Sequence, residues 1–239
     1  MRVFDADFIL FDLVFTVMWV IILYKKGYIK PLLFGLMGIL VNFIVDYGIW
    51  YSIMGIRTVE GLPSWMSPLS FFVYFSITYG IMQYSYVQAM FTKRLDQPER
   101  EKKERAQISV LLFLGWLIIA YLSVLLPLND LEITVTRTMT DQRFIEVLVV
   151  IVEFALLGFL AHNKKFGIDW KLIGYIFFVG FFVHFSMEFT LFLPGIRKSS
   201  IFDLVFNSLL EFNMGTPILY VMLNVLIPHL EKRKTTPVA

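Results

Sequence analysis

Seven stretches of mainly apolar residues, at about 7–24, 31–54, 66–92, 107–127, 143–162, 170–193 and 201–228, alternate with short segments carrying charge, glycine or proline. Each reaches or approaches the roughly 20 residues an α-helix needs to cross a bilayer core of ~30 Å. The pattern predicts one all-α domain over 1–239, a polytopic membrane protein with seven transmembrane helices. The first run is preceded by Asp5 and Asp7, followed by Lys25 and Lys26, and lacks a small-residue cleavage site, so it reads as a retained helix and not as a signal peptide.

Charge fixes the expected orientation. Of the 21 Lys and Arg residues, 15 fall in the 1–2, 3–4 and 5–6 loops and the C-terminal tail, whereas the N-terminus and the 2–3, 4–5 and 6–7 loops hold 6. The positive-inside rule then puts the N-terminus outside and the C-terminus inside. The longest polar stretch, 93–107, is a charged cytoplasmic loop, read as a solvated helical extension or linker. Composition agrees with a lipid solvent: 58% of residues are hydrophobic and 17% charged, and the mean hydropathy is +0.71. The chain carries no nucleic-acid footprint, so the expected partners are the membrane and a lipophilic small molecule or lipid. Sequence leaves the oligomeric state, the substrate and the host membrane open.

Carboxylates inside the spans change the picture most, since each charged side chain at a span centre costs ~2.5–3.5 kcal/mol on insertion scales and tends to mark function. Asp12 lies in the first run, Asp46 in the second, Glu146 and Glu153 in the fifth, His184 and Glu188 in the sixth, and Asp203 and Glu211 in the seventh. At 1.5 Å per residue, Glu188 sits about 8 Å, Asp46 about 12 Å, and Glu153 and Glu211 about 15 Å from the outer ends of their helices. One-sided depth of this kind predicts a single cavity in the outer half. Asn42, Asp46 and Trp50 recur at four-residue steps, as do Asp203, Asn207 and Glu211, and His184 and Glu188 are one turn apart. Tyr79, Gln83 and Tyr86 add a softer polar face. Pro217 has no N–H for the Asn213 carbonyl, which is expected to be free for a ligand.

Candidate catalytic groups are therefore Asp46, Glu153, His184, Glu188 and Glu211, and candidate substrate-binding groups are Asn42, Trp50, Tyr79, Gln83, Asn207 and Asn213. Cysteine is absent, no H-E-x-x-H motif occurs and the one lysine inside a run, Lys171, stands at its very edge, so no metal site, retinal-type Schiff base or other cofactor is expected. A carboxyl in an apolar pocket can stay protonated and donate its proton to an alkene or epoxide, and aromatic faces can stabilise the resulting carbocation. Three functions fit these residues: a cyclase or isomerase acting on an isoprenoid- or sterol-like substrate, a small proton-coupled transporter, and a non-catalytic lipid-binding or receptor-like bundle.

The seven runs, the Lys25-Lys26-Gly27-Tyr28 turn and the acids in the second and seventh runs resemble the integral-membrane terpene cyclases of fungal meroterpenoid and indole-diterpene pathways. The resemblance implies substrate protonation by acids at Asp46 and Glu211, although Val45-Asp46 stands where that family has Trp-Glu. Locally, His184-Phe185-Ser186-Met187-Glu188 is similar to the His and Glu, one turn apart, of emopamil-binding-protein-like sterol isomerases, which implies double-bond migration through a carbocation. Gly-Ile-Arg follows both polar helices, at 55–57 and 195–197, and hints at a duplicated helical hairpin.

Overall fold

The computed structural model describes residues 1–93, 97–126, 128–138 and 142–235. In chain order they form β1 (Arg2–Asp5), α1 (Asp7–Lys25), α2 (Ile29–Asn42) continuing as a π-helix (Phe43–Ile53), β2 (Arg57–Glu60), α3 (Pro68–Phe91), α4 (Pro98–Leu125), β3 (Glu132–Arg137), α5 (Gln142–His162), α6 (Trp170–Phe192), α7 (Ile201–Leu210), α8 (Thr216–Val221), a second π-helical stretch (Met222–Leu226) and α9 (Ile227–Thr235). Five helices are long and apolar enough to cross a membrane: Asp7–Lys25, Ile29–Ile53, Pro98–Leu125, Arg143–His162 and Trp170–Phe192.

Two of the seven expected spans differ from that description for separate reasons. Helix α3 is long enough but less apolar, because it is the hub of the bundle and its polar side chains tie other helices to it. Ser85 Oγ accepts from Trp19 Nε1 at 2.9 Å, Gln88 Nε2 donates to the Leu219 carbonyl at 3.1 Å, and Tyr86 and Ser109 share a hydrogen bond at 2.9 Å. Tyr86 is thereby a helix tie and not part of a binding face. The expected run 201–228 is broken: α7 ends at Leu210, residues 211–215 turn, and α8 restarts at Thr216 with Pro217 in its first turn. Gly215, at φ +123°, supplies the backbone conformation that the turn requires.

The all-α expectation also lacked a sheet. β1, β3 and β2 form an antiparallel sheet in the order β1-β3-β2, with Arg2 opposite Val135 and Arg57 opposite Arg137. The strands are only four to six residues long and sit in segments between apolar runs, where span-scale periodicity does not look for them. β3 (EITVTR) nevertheless alternates as a half-buried strand should: Ile133 and Val135 are buried, and Glu132 is exposed. An isolated bridge from Arg2 to Arg197 laces the 6–7 connection to β1. One end of the bundle is thus roofed by the N-terminal strand and the 2–3, 4–5 and 6–7 connections. At the other end Lys26 pairs with Glu104 at 3.5 Å and Lys30 with Glu231 at 3.4 Å. Of the charged stretch 93–107, residues 94–96 lie outside the described residues, and from Pro98 onward it forms the first turns of α4.

Helices α2 and α3 meet backbone to backbone. A Cβ on Gly80 would lie 2.5 Å from the Ile39 nitrogen and 2.6 Å from the Gly38 carbonyl carbon, so only hydrogen fits there. Gly80→Ala is expected to force the helices apart and to destabilise the fold by about 1–3 kcal/mol. Denaturation in detergent checks this; an unchanged midpoint would show that the contact yields freely.

Candidate functional site

Beneath the sheet lies a cavity of about 880 Å³, lined from α2 and its π-helical continuation, α3, α5, α6, α7, α8 and all three strands. Ten of the eleven candidate residues line it: Asn42, Asp46, Trp50, Tyr79, Gln83, Glu153, His184, Glu188, Asn207 and Glu211. Asn213 does not. It is fully buried, donates from Nδ2 to the Leu209 carbonyl at 3.1 Å, and fills the space that Gly180 leaves on α6. The Asn213 carbonyl expected to be free accepts instead from the Gly215 N–H at 3.0 Å, because the chain turns before Pro217 is reached.

The π-helix explains how the second-run stripe reaches the cavity. On one face Phe43, Tyr47 and Tyr51 stack at 5.2 and 5.6 Å, and Tyr51 packs on Phe72 of α3 at 5.0 Å. That ladder holds the helix to α3 and leaves Asn42, Asp46 and Trp50 for the cavity.

Arginine, whose distribution along the chain spoke only to orientation, dominates the site. All six Lys and Arg residues of the N-terminus and the 2–3, 4–5 and 6–7 connections line the cavity: Arg2, Arg57, Arg137, Arg143, Arg197 and Lys198. Asp46 is bound by Arg57. Glu188, 2% exposed, lies between Arg2 at 2.5 Å and Arg197 at 2.6 Å. Glu211 is gripped by Arg137 and by Arg143 at 2.6 Å, and Arg143 also pairs with Glu146. Asp46, Glu188 and Glu211, expected as isolated carboxyls, are thus each matched to guanidinium groups. Five of the six bases at this end are arginine, whereas the other end is rich in lysine; that bias is the signal that could have identified the partners.

The sheet sets these arginines in place. Arg57 and Arg137 stand directly opposite each other across β2 and β3, an arrangement of like charges that is unfavourable alone. Asp46 and Glu211 neutralise them from below, and both guanidiniums stack on Trp50, at 5.8 and 4.2 Å from its centroid. Arg57 also lies 4.8 Å from the centre of Phe75. Burial lowers the pKa of Arg57 below its ordinary value, against the opposing pull of Asp46. Burial likewise works against charge on Arg2, but Glu188 and Tyr79 outweigh it and its pKa is raised. The two Gly-Ile-Arg segments play parallel parts: Gly55 (φ +63°) and Gly195 (φ +86°) turn the chain so that Arg57 and Arg197 return to the acid of the preceding helix.

His184 and Glu188, adjacent on α6, face different partners, and His184 turns to Glu211. Its Nε2 is 2.8 Å from Glu211 Oε2, and its Nδ1 is 3.3 Å from Ser208 Oγ. The Ser208 hydroxyl gives its proton to the Leu204 carbonyl at 2.8 Å, so its oxygen can only accept from Nδ1–H. A hydrogen bond between Nε2 and the carboxylate then requires a further proton between them. Among the described residues no three His, Cys, Asp or Glu side chains converge as metal ligands.

The remaining acids are distinct. Glu153 makes no ion pair among the described residues and accepts from the Gly215 N–H at 3.0 Å, so the helix break is anchored to α5. Asp203 is exposed at the rim, held by Ser200 at 2.8 Å. Asp12, in the first of the apolar runs, is 1% exposed, accepts from Tyr74 Oη at 2.9 Å and does not line the cavity. Towards the opposite end the lining turns apolar, with Met37, Val41, Tyr84, Phe212, Ile218 and Met222. No protein-family model matches the chain, and no match is found among curated proteins or solved structures.

Proposed function

We propose that the chain is a multi-pass integral membrane enzyme, seven helical passes with the N-terminus outside, that isomerises or cyclises a lipophilic isoprenoid- or sterol-like molecule by proton transfer. The observation that carries this reading is the His184–Glu211 hydrogen bond of 2.8 Å at the wall of a cavity with a polar and an apolar end. A carboxylate held by two guanidiniums is a poor acid, so the donor is the imidazole, with Glu211 orienting it and holding the positive charge in place. This moves the proton-donating role from Asp46, locked to Arg57, to His184.

In the proposed reaction the imidazolium swings its Nε2–H from Glu211 to the substrate, and that proton adds to one alkene carbon. The neighbouring carbocation then loses a proton from an adjacent carbon back to the imidazole or, in a cyclase, is captured by a second double bond first. The faces of Trp50, Phe75 and Tyr79 already carry arginines, so the lining rings left to meet a carbocation are Phe206 and the pair Tyr84 and Phe212, which pack edge to face at 5.3 Å. The roof arginines and the 15 basic residues outside those four segments support the orientation.

Purified protein incubated with a panel of isoprenoids and sterols in D₂O is expected to place deuterium at an allylic carbon, and His184→Gln to lose that exchange. Exchange at the wild-type rate in His184→Gln would end the assignment. A second reading, proton-coupled transport, is favoured by the helix break at 211–215 with Glu153 bound to it. It predicts uptake driven by a pH gradient in proteoliposomes, abolished by Glu153→Gln.

A further inference from the structure

Every arginine on the cavity wall has a carboxylate, yet the hydrogen-bond inventory does not close. Arg57 is 7% exposed, and its Nε has no acceptor; Arg2 Nη1 and Ser199 Oγ are buried and lack one as well. Arg197 Nε and Glu188 Oε2 each lack an aligned hydrogen bond, but they face each other at 2.6 Å and account for one another. The residue left over is a set of donors. Lys198, exposed at the rim beside Ser199, makes no ion pair among the described residues. Buried donors without acceptors are costly and rare, and they mark where an external acceptor belongs. An oxyanion has enough lone pairs to take several donors at once.

The other end of the cavity asks for something different. Met37 and Val41 on α2 face Phe212, Ile218 and Met222 across the space. Helix α2 packs on α1 and α3, α5 and α8 pack on α6 and on each other, and α3, which touches both α6 and α8, closes one side of the cavity between them. A chain of methylenes or isoprene units between α2 and α8 would cover these apolar side chains.

Resting on the function proposed above, we infer that the substrate is an anionic amphiphile. Its carboxylate or phosphate lies under the sheet against Arg2, Arg57, Lys198 and Ser199, and its apolar tail runs between α2 and α8. The headgroup anchors one end of the molecule, so that the bond presented to His184 is set by distance from the anion.

Native mass spectra of the full chain, delipidated in detergent, test this with four probes: oleyl phosphate, oleate, oleyl alcohol as the neutral analogue with the same tail, and inorganic phosphate. One or both anionic lipids are expected to bind one per chain at least about tenfold more tightly than oleyl alcohol. Which of the two is preferred identifies the headgroup. Arg57→Gln and Lys198→Gln are each expected to weaken the anionic probe by about tenfold and to leave the alcohol unchanged. Lys198→Gln disturbs no ion pair, so loss of fold in Arg57→Gln does not blur the result. Equal binding of alcohol and anions, anion binding insensitive to Lys198→Gln, or inorganic phosphate bound as tightly as oleyl phosphate would each overturn the inference. Deuterium exchange into neutral isoprenoids without preference for anions overturns the headgroup alone; tight anion binding by a protein that exchanges no proton into any lipid overturns the enzyme reading alone.

Discussion

Glu211→Gln is expected to reduce turnover by a factor of about 10²–10⁴, the range associated with loss of a positioned acid–base group. Glu211 joins three partners, Arg137, Arg143 and His184, and only a carboxylate can satisfy all of them. An amide presents its NH₂ to one of these donors, turns that contact repulsive and releases the imidazole from its orientation. Glu211→Asp keeps the charge on a shorter arm and is expected to recover part of the rate. Single-turnover measurements on variants with unchanged unfolding midpoints check the order wild type, Asp, Gln. Equal rates for all three would remove Glu211 from the proton path.

Glu188→Ala is expected to give the largest loss of stability, about 3–5 kcal/mol, because it strands two buried cations. Arg2 and Arg197 converge on this one carboxylate from β1 and from the 6–7 connection, and they come from segments already joined by a β-bridge. Glu188→Gln retains hydrogen bonds without charge and is expected to cost less. Asp203→Ala, at an exposed rim position, is expected to stay within about 1 kcal/mol of wild type, the loss being that of a local helix-end contact. Denaturant titration of the three proteins in one detergent makes the comparison. A Glu188→Ala protein as stable as Asp203→Ala would mean that the arginines find other partners or water.

Legibility in the sequence divided along physical lines. Helix positions followed from apolar runs, because lipid or protein burial over some 20 residues leaves a long imprint. Ten candidate side chains shared a cavity because four-residue spacing keeps residues on one face, and even the π-helical turn at Asp46 and Trp50 did not separate them. What was not legible was short or non-local. Strands such as Arg57–Glu60 are shorter than any periodicity window and are specified by pairing with β3, far along the chain. The arginine partners of Asp46 and Glu188 lie beyond turns made by Gly55 and Gly195, and no helix spacing connects them. The guanidiniums beside these acids went unseen for the same reason: a carboxyl read alone in an apolar run gives no sign of the arginine that reaches it from a distant loop.

The roof is stitched from pieces that leave the ribosome at widely separated times, with its central strand, Glu132–Arg137, more than a hundred residues after its first. During synthesis the early helices therefore wait with Arg57 already matched to Asp46, while Arg2 has no counterpart until α6 brings Glu188. The chamber can close only after the last helices are made, and a chain halted after α4 would have its hub helix in place but neither a ceiling nor His184.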